Sequence, residues 1–216
     1  MSSARTVDSR LEDKAIALDE TRRRRLVSAI ACSVIERADE LTALDAAIGD
    51  GDHGANMKRG FEAVLQDLDA LAAMSLPDLL KGVGMKLVTK VGGASGPLYG
   101  TLFLALGKEL SDAPSRATAA SGFGGAIAAV KARGKSDVGQ KTMLDVLQPA
   151  FEAFAAGGDA ARVREATLLA ADGTIPMRAT RGRASFLGER SVGHMDPGAR
   201  SASLIICAVC DEFGGG

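Results

Sequence analysis

Apolar residues recur along almost the whole chain at intervals of three or four, and this spacing restricts the fold more than any other feature. Leu26, Ile30 and Val34 follow one another at four-residue intervals, and residues 61–71 repeat the pattern at steps of three and four. Residues spaced in this way share one face of an α-helix. No segment shows the strict alternation of polar and apolar residues that a half-buried strand requires. The pattern therefore predicts an all-α fold.

Capping residues divide the periodic sequence into separate helices. Ser95 and Asp196 each precede a helical stretch, and Asp196 stands directly before Pro197, a pair suited to an N-cap and a first helical position. The glycine pair at 157–158 is a stop signal, whereas Pro149 falls inside a helical pattern and is expected to kink that helix. The eight predicted helices span 18–40, 53–74, 76–91, 96–111, 117–133, 137–156, 159–178 and 197–213.

Length and composition indicate one ordinary globular domain. At 216 residues the chain is long enough to bury a substantial core, and no linker or internal repeat divides it. We expect residues 1–216 to form a single domain in which residues 1–16 are a loosely ordered N-terminal extension. The formal net charge of −1 gives no electrostatic basis for binding nucleic acid or an anionic membrane, so neither is expected as a partner.

The termini and the cysteines give an expectation about location. The first residues lack the apolar stretch of a signal peptide, and no run of about 18 apolar residues could span a membrane. A cytoplasmic protein is therefore expected. Cys32, Cys207 and Cys210 imply no disulfide framework. Since Cys207 and Cys210 lie inside an apolar helical stretch, we interpret them as buried core residues rather than a redox pair.

Three aspartates lie within eight residues of the segment "LTALDAAIGDGDHGANM", residues 41–57. Asp45, Asp50 and Asp52 repel one another at this spacing unless a positive charge lies among them. The intervening glycines allow tight backbone conformations that can turn the three carboxylates toward one point. Proteins hold Mg²⁺ with a few carboxylates together with phosphate oxygens and water. The segment therefore predicts a metal and phosphate site.

Other uses of these carboxylates fit the sequence less well. Counting from Asp50, the twelfth position of an EF-hand would be Phe61 instead of a bidentate glutamate. Zinc is disfavoured because His53 and His194 are the only histidines and no cysteine lies nearby. The structural alternative is that the aspartates merely end one helix, form a turn and cap the next. Their convergence with His53 and Asn56 favours the metal site.

Two further segments have the composition of binding loops. The glycine-rich stretch "TKVGGASGPLYG", residues 89–100, lacks the Gly-Lys-Ser/Thr of a Walker A motif, but it places Ser95 before a helix whose amides could bind phosphate. The alternative is a tight turn between two packed helices. Residues 181–203 form a long polar loop with several arginines, which is typical either of a phosphate clamp or of a solvated surface loop.

Four motifs together carry a resemblance to a known family. The segments "LDAAIGDGDHGANMKRGF", "GGASGPLYGT", "GKSDVGQKTMLDVLQPA" and "GRASFLGERSVGHMDPGA" follow one another along nearly the whole chain. In this order they resemble the nucleotide-binding L subunit of dihydroxyacetone kinase. The resemblance implies a closed barrel of eight antiparallel helices with the nucleotide at one end. This agrees with the eight helices predicted from the periodicity.

The resemblance assigns roles to individual residues. Asp45, Asp50 and Asp52 match the aspartates that hold two Mg²⁺ ions on the nucleotide phosphates, and Gln140 stands where the family more often has an acidic residue. Arg183 is the loop arginine that would stabilise charge in the transition state. The nucleotide contacts that the resemblance implies are His53, Gly54, Ala55, Asn56, Ala94, Ser95, Gly134, Met143, Arg183, Asp196, Pro197 and Gly198.

The implied activity is phosphoryl transfer to the terminal hydroxyl of a short-chain ketose such as dihydroxyacetone. In the family a separate K subunit holds this substrate through its own histidine, and neither histidine here has the context for that task. No catalytic residue is therefore expected on this chain apart from Arg183. The phosphoryl group would come from exchanging ATP, or from bound ADP that a phosphotransferase-system M subunit rephosphorylates. We expect a homodimer or a monomer.

Two alternatives of other classes stay open at the level of sequence. A related helical domain opens the fatty acid kinases, which are much longer chains. A nucleotide-sensing adaptor that binds a transcription regulator through its Mg–ADP face would use the same site without catalysis, and it could coexist with the kinase function.

Overall fold

A computed structural model of the chain describes residues 15–214, and every regular element among them is helical. The α-helices are α1 Glu20–Ile35, α2 Ala38–Ile48, α3 His53–Gln66, α4 Leu68–Ala72, α5 Leu76–Lys90, α6 Ser95–Glu109, α7 Arg116–Gly134, α8 Leu144–Ala155, α9 Ala160–Gly173 and α10 Pro197–Gly214. A 3-10 helix, Arg183–Ser191, lies between α9 and α10. The predicted all-α class is confirmed. The predicted N-terminal extension over 1–16 lies outside the described residues except for its last two.

The long helices pack in a regular order around one hydrophobic core. Helix α1 packs on α3, α3 on α5 and α5 on α6, and each later helix packs on the next until α10 returns to α1. The core contains Phe61, Leu87, Tyr99 and Leu147, each at most 2% exposed. Helix α2 lies beside this assembly, where it contacts α3, α10 and the 3-10 helix. None of the described helices is both long and apolar enough to cross a membrane.

The predicted helix over 18–40 is divided in the structure. Helix α1 ends at Ile35, and α2 begins at Ala38 and continues to Ile48. At the break the N–H of Arg37 donates to the carbonyl of Val34 (3.3 Å) in place of the usual i−4 acceptor. Because buried apolar residues continue at helical spacing on both sides of the break, periodicity alone could not locate it.

The prediction of a helix from residue 137 is wrong, because α8 begins only at Leu144. The carboxylate of Asp145 accepts hydrogen bonds from the backbone N–H of Gly139 (2.5 Å) and Thr142 (2.7 Å), which fixes a loop instead of a helical turn. Lys141 in this loop has a left-handed backbone, with φ of 62°. The next predicted helix, 159–178, ends early, at Gly173. Pro149 lies inside α8 without ending it.

A close crossing of α2 and α3 brings the aspartates together. A Cβ atom on Gly54 would collide with the carbonyl oxygen of Ala38 and with Thr42, so only glycine allows the two helices to approach this closely. As a result the C-terminal turn of α2, which carries Asp45, lies beside the N-terminus of α3.

The interpretation of Cys207 and Cys210 as buried core residues is confirmed. Cys207 and Cys210 are buried on α10, and burial raises the pKa of both thiols, that of Cys210 to about 11. Neither thiol therefore has the lowered pKa of a reactive cysteine.

Candidate functional site

The structure brings the three aspartates of the glycine-rich segment to one point. Each of Asp45, Asp50 and Asp52 offers a carboxylate oxygen, and these oxygens lie within 4.8 Å of one another. Asp45 is buried in the last turn of α2, whereas Asp50 and Asp52 are exposed in the connection to α3. Oxygens at this separation suit a shared hard cation.

Only one of the three carboxylates has a structural use that accounts for its position. Asp45 Oδ2 accepts the backbone N–H groups of Asp52 (2.8 Å) and His53 (3.1 Å), so it caps α3 from the preceding helix. Asp52 occupies the N-cap position of α3, but its side chain makes no capping hydrogen bond. The Asp50 carboxylate pairs with Arg183, with 3.1 Å between Nε and Oδ2. Helix capping therefore explains the position of Asp45 but not that of Asp52.

The aspartates line an open cavity of about 310 Å³. Its other walls are the glycine-rich loop before α6, the loop before α8, the 3-10 helix and the start of α10. The predicted site residues that line it are Asp45, Asp50, Asp52, His53, Ala94, Ser95, Met143, Arg183, Asp196, Pro197 and Gly198. Five segments of the chain thus meet at one cavity.

The other predicted nucleotide contacts, Gly54, Ala55, Asn56 and Gly134, do not line this cavity. Gly54 lies at the close contact between α2 and α3 described above. The Asn56 side chain accepts a hydrogen bond from Arg59 Nη2 (2.5 Å) and lies against Gly92, which does line the cavity. Gly134, at the end of α7, lies against another lining residue, Leu98.

The N-terminus of α6 lies at the cavity and has no side-chain cap. We predicted Ser95 as an N-cap, but it is the first residue of α6, and Ala94 takes the cap position without a side-chain hydrogen bond. The Ser95 hydroxyl instead lies 3.0 Å from His53 Nδ1. With Gly92, Gly93 and Ala94 lining the cavity, this terminus has the features of an anion-binding site.

His53 links three of the cavity walls through hydroxyl groups. Its Nε2 lies 2.9 Å from Ser201 Oγ on α10, and Ser201 Oγ lies 2.6 Å from the hydroxyl of Tyr99 on α6. Burial lowers the pKa of the imidazole, opposed by the nearby charges of Asp45 and Asp52. Since each ring nitrogen of His53 has a serine hydroxyl as its partner, the imidazole is held in place in the cavity wall. Tyr99 and Ser201 have no local signature in the sequence, because they join His53 only through the fold.

Asp196 confirms the predicted start of α10. Its carboxylate accepts the backbone N–H of Ala199 (2.7 Å), and α10 begins at Pro197. Burial raises the pKa of this carboxyl to about 7, and the charge of Asp145 adds to the rise, whereas the Ala199 N–H and the charge of Lys141 oppose it.

This raised pKa predicts a pH dependence of stability. The folded protein holds the Asp196 proton more tightly than the unfolded chain, whose carboxyl has a pKa of about 4. The contribution of this group to the free energy of unfolding therefore falls as the pH rises from about 4 to about 7. Asp196→Asn keeps an oxygen that can accept the Ala199 N–H but does not titrate. Over this window we expect wild type to lose on the order of 2–4 kcal/mol relative to the variant.

Urea unfolding of the ligand-free protein at both ends of this pH window measures the effect. Asp39→Asn, which alters an exposed aspartate on α2, is the matched control and should follow wild type. Parallel pH curves for wild type and Asp196→Asn would show that the folded state does not hold this proton.

The chain has relatives among known proteins. The sequence model of the DAK2 domain matches residues 47–211. The PEP-dependent dihydroxyacetone kinase 1, ADP-binding subunit DhaL, of Listeria innocua is 44% identical over 180 residues, which cover 82% of this chain and 88% of the relative. The PEP-dependent dihydroxyacetone kinase, ADP-binding subunit DhaL, of Escherichia coli is 40% identical over 182 residues, which cover 78% and 85%.

A solved structure has the same fold. The crystal structure of the dihydroxyacetone kinase of C. freundii, native form, superposes with a TM-score of 0.74 at 24% identity. The match covers 98% of this chain but only 38% of that enzyme. Taken with the family match over most of the sequence and the two bacterial relatives, this shows that the chain belongs to the DAK2 domain family, among the DhaL-type subunits of dihydroxyacetone kinase.

Proposed function

We propose that this chain is the Mg-nucleotide-binding subunit of a dihydroxyacetone kinase. It would pass a phosphoryl group from its bound nucleotide to a short-chain ketose that a separate K subunit holds. The observation that carries the proposal is the convergence of three carboxylates on a cavity that also contains an uncapped helix N-terminus. The similar bacterial subunits are named ADP-binding, which supports a nucleotide as the ligand.

Magnesium fits the donor set. Asp45, Asp50 and Asp52 provide oxygen ligands only, and Asp52 has no competing capping role. We propose that these residues hold two Mg²⁺ ions, as the family resemblance implies. When bound, the ions would neutralise negative charge on the phosphates during transfer. The C. freundii enzyme, whose fold the chain shares, has been crystallised in complex with AMP-PNP and Mg²⁺.

The remaining walls of the cavity suit the rest of the nucleotide. The amides around Ala94 and Ser95 would bind a phosphate, and Arg183 would meet the charge of the transferred group. Met143 and the turn 196–198 also line the cavity. The implied contacts of Gly54 to Asn56 and of Gly134 stay part of the proposal, made through backbone atoms or after small movements.

The phosphoryl acceptor has to come from a partner. Both ring nitrogens of His53 are engaged by hydroxyls, and His194 is exposed outside the cavity lining. Among the other titratable side chains of the cavity, Asp196 accepts the N–H of Ala199 at the start of α10, and Lys141 donates to backbone carbonyls. This supports a K subunit that brings its own substrate. The names "PEP-dependent" and "PTS-dependent" among the similar subunits favour the route in which an M-type subunit rephosphorylates bound ADP over exchange of ATP.

We also infer that the eight long helices other than α2 form a closed antiparallel barrel. The packing order, which leads from α1 through α3 and α5 to α10 and back to α1, supports a closed ring. The short connection between α5 and α6, residues 91–94, supports antiparallel neighbours. In such a barrel the cavity lies at the end where α3, α6 and α10 begin. We propose that the chain acts as a homodimer or a monomer.

Thermal unfolding tests the proposed ligand. Binding to the folded state alone stabilises it by about 2.7 kcal/mol at a hundredfold excess over Kd, which for a chain of this size is a rise in Tm of about 5–10 °C. We expect Mg–ADP to produce this shift. ADP with EDTA should produce a much smaller one, because the carboxylates would repel phosphate in the absence of the ion. Equal shifts under the two conditions would mean that the aspartates do not join metal to phosphate.

A further inference from the structure

Lys141 is a buried cation whose hydrogen bonds all go to neutral groups. Its side chain is 1% exposed, and Nζ donates to the backbone carbonyls of Ser191 (2.6 Å), Met177 (3.0 Å) and Ile175 (3.5 Å). No carboxylate among residues 15–214 forms an ion pair with it. A fully buried lysine that forms no ion pair is rare and costly, and burial lowers the pKa of this ammonium, opposed by the charge of Asp196. Such a residue is expected to have a specific task.

The three carbonyls lie at the two ends of one loop. After α9 the chain continues through Ile175 and Met177 and then forms the 3-10 helix, whose last residue is Ser191, before α10 begins. The same ends are joined by hydrogen bonds from the Gly193 N–H to the Ile175 carbonyl (2.8 Å) and from the Ala179 N–H to Ser191 Oγ (2.9 Å). The Lys141 ammonium therefore lies where the two ends of the loop 175–191 meet.

The outer part of this loop reaches the aspartates. Ala184 packs with Ile48 at the end of α2, and Arg183 forms its ion pair with Asp50. The hydrogen bonds of the Lys141 ammonium go to the ends of the loop, while Arg183 lies between those ends in sequence and lines the cavity. The position of Arg183 thus depends on how the loop is closed.

Lys141 also lines the cavity, so a direct contact with phosphate has to be weighed. An ammonium has three hydrogens, and the carbonyls of Ser191 (2.6 Å) and Met177 (3.0 Å) engage two of them, while the Ile175 carbonyl lies at 3.5 Å, the outer limit of a hydrogen bond. Contact with a phosphate oxygen would replace the long Ile175 contact and leave in place the two bonds that join the ends of the loop. The role of Lys141 in joining these ends is therefore independent of any phosphate contact.

We propose that Lys141 is a positioning residue whose ammonium joins the two ends of the 175–191 loop and thereby holds Arg183 at the cavity. The part of this inference that concerns Arg183 rests on the proposed function, in which Arg183 meets the charge of the transferred phosphoryl group. The closure of the loop by Lys141 does not depend on it.

Hydrogen exchange of the ligand-free chain tests the closure. In Lys141→Met we expect amides of residues 180–190 to exchange at least about tenfold faster, while the helices keep their protection. Lys135→Met is the matched control, since Lys135 lies in the same loop before α8, also has a left-handed backbone (φ 48°), and is exposed. It should exchange as wild type does. If Lys141→Met fails to fold, Lys141→Gln, which removes the charge and one donor, should show the same local increase. Wild-type exchange in a folded variant at position 141 would overturn the proposal.

Turnover of the complete kinase tests the link to Arg183. Arg183→Ala is expected to lower kcat by about 10²-fold, and Lys141→Met by a similar factor, with Mg–ADP affinity within about threefold of wild type. The double variant should be no slower than the slower single variant, because Lys141 acts through Arg183. Losses that multiply in the double variant, or a large loss of Mg–ADP affinity in Lys141→Met alone, would overturn the link and indicate direct phosphate contact. If Arg183→Ala keeps full turnover, the proposed role of Arg183 fails, and hydrogen exchange still decides the closure.

Discussion

Replacing Asp50 or Asp52 by alanine is expected to abolish Mg-dependent nucleotide binding while the helical fold stays intact. The three carboxylate oxygens within 4.8 Å of one another act as one ligand set, and removing one leaves two oxygens for the metal. Since mutations of groups that merely orient metal ligands already cost about 10–100-fold in affinity, loss of a ligand should cost more. Neither side chain caps a helix in the structure, so stability of the metal-free protein should stay the same or rise slightly as repulsion is relieved.

Asp45 is a less suitable probe than its two neighbours. Its carboxylate accepts the N–H groups of Asp52 and His53, so Asp45→Ala would also remove the cap of α3, a loss of about 1–2 kcal/mol of stability. A weak-binding Asp45 variant could therefore reflect altered α3 geometry as well as a missing metal ligand.

Titration calorimetry with ADP, with and without Mg²⁺, measures the effect. Asp39→Ala removes an exposed aspartate from α2 that does not line the cavity, and it should bind Mg–ADP as wild type does. Circular dichroism establishes that each variant is folded. Unchanged Mg–ADP affinity in both Asp50→Ala and Asp52→Ala would disprove the assignment of the metal site.

Local sequence patterns predicted the helical class and most helix positions, and they missed features that depend on single hydrogen bonds. Periodicity continues across residues 36–37, where α1 has ended and α2 has not yet begun, because both helices bury apolar residues at the same spacing. The loop before α8 was predicted as helix, since nothing in its composition shows that the Asp145 carboxylate will accept the N–H groups of Gly139 and Thr142.

The same distinction holds at the site. The aspartates could be found from the sequence because they are neighbours along the chain and their charges demand an explanation. Ser201 lies 148 residues from His53, and Lys141 lies 50 residues from Ser191, so these contacts exist only after folding. Ser95 shows an intermediate case. The sequence placed it correctly at a helix start, but its hydroxyl bonds to His53 instead of capping α6, because the fold offers a buried imidazole in reach.

The second large effect concerns catalysis: the purified chain alone is expected to be nearly inert as a kinase. Its cavity contains carboxylates for a metal, amides for phosphate and an arginine for developing charge, while Asp196, the cavity carboxyl with a raised pKa, is engaged by the N–H of Ala199. Correct placement of two reactants is worth on the order of 7–11 kcal/mol in favourable cases, and half of that placement would come from another protein. The isolated chain should therefore bind Mg–ADP or Mg–ATP and form no sugar phosphate at a useful rate.

The measurement is sugar-phosphate formation from dihydroxyacetone under three conditions. The first contains this chain with ATP, and the second adds a K subunit. The third contains this chain with K and M subunits and a phosphoenolpyruvate-driven phosphotransferase system. Turnover only in the third condition would assign the phosphoryl donor to the phosphotransferase route. Turnover in the second would assign it to ATP. The Asp52→Ala variant should be inactive in all three, because it lacks a metal ligand. The subunit assignment would be overturned if the chain showed robust turnover without any partner and the Asp52→Ala variant lost that turnover. This result would show that the cavity also holds and activates the ketose.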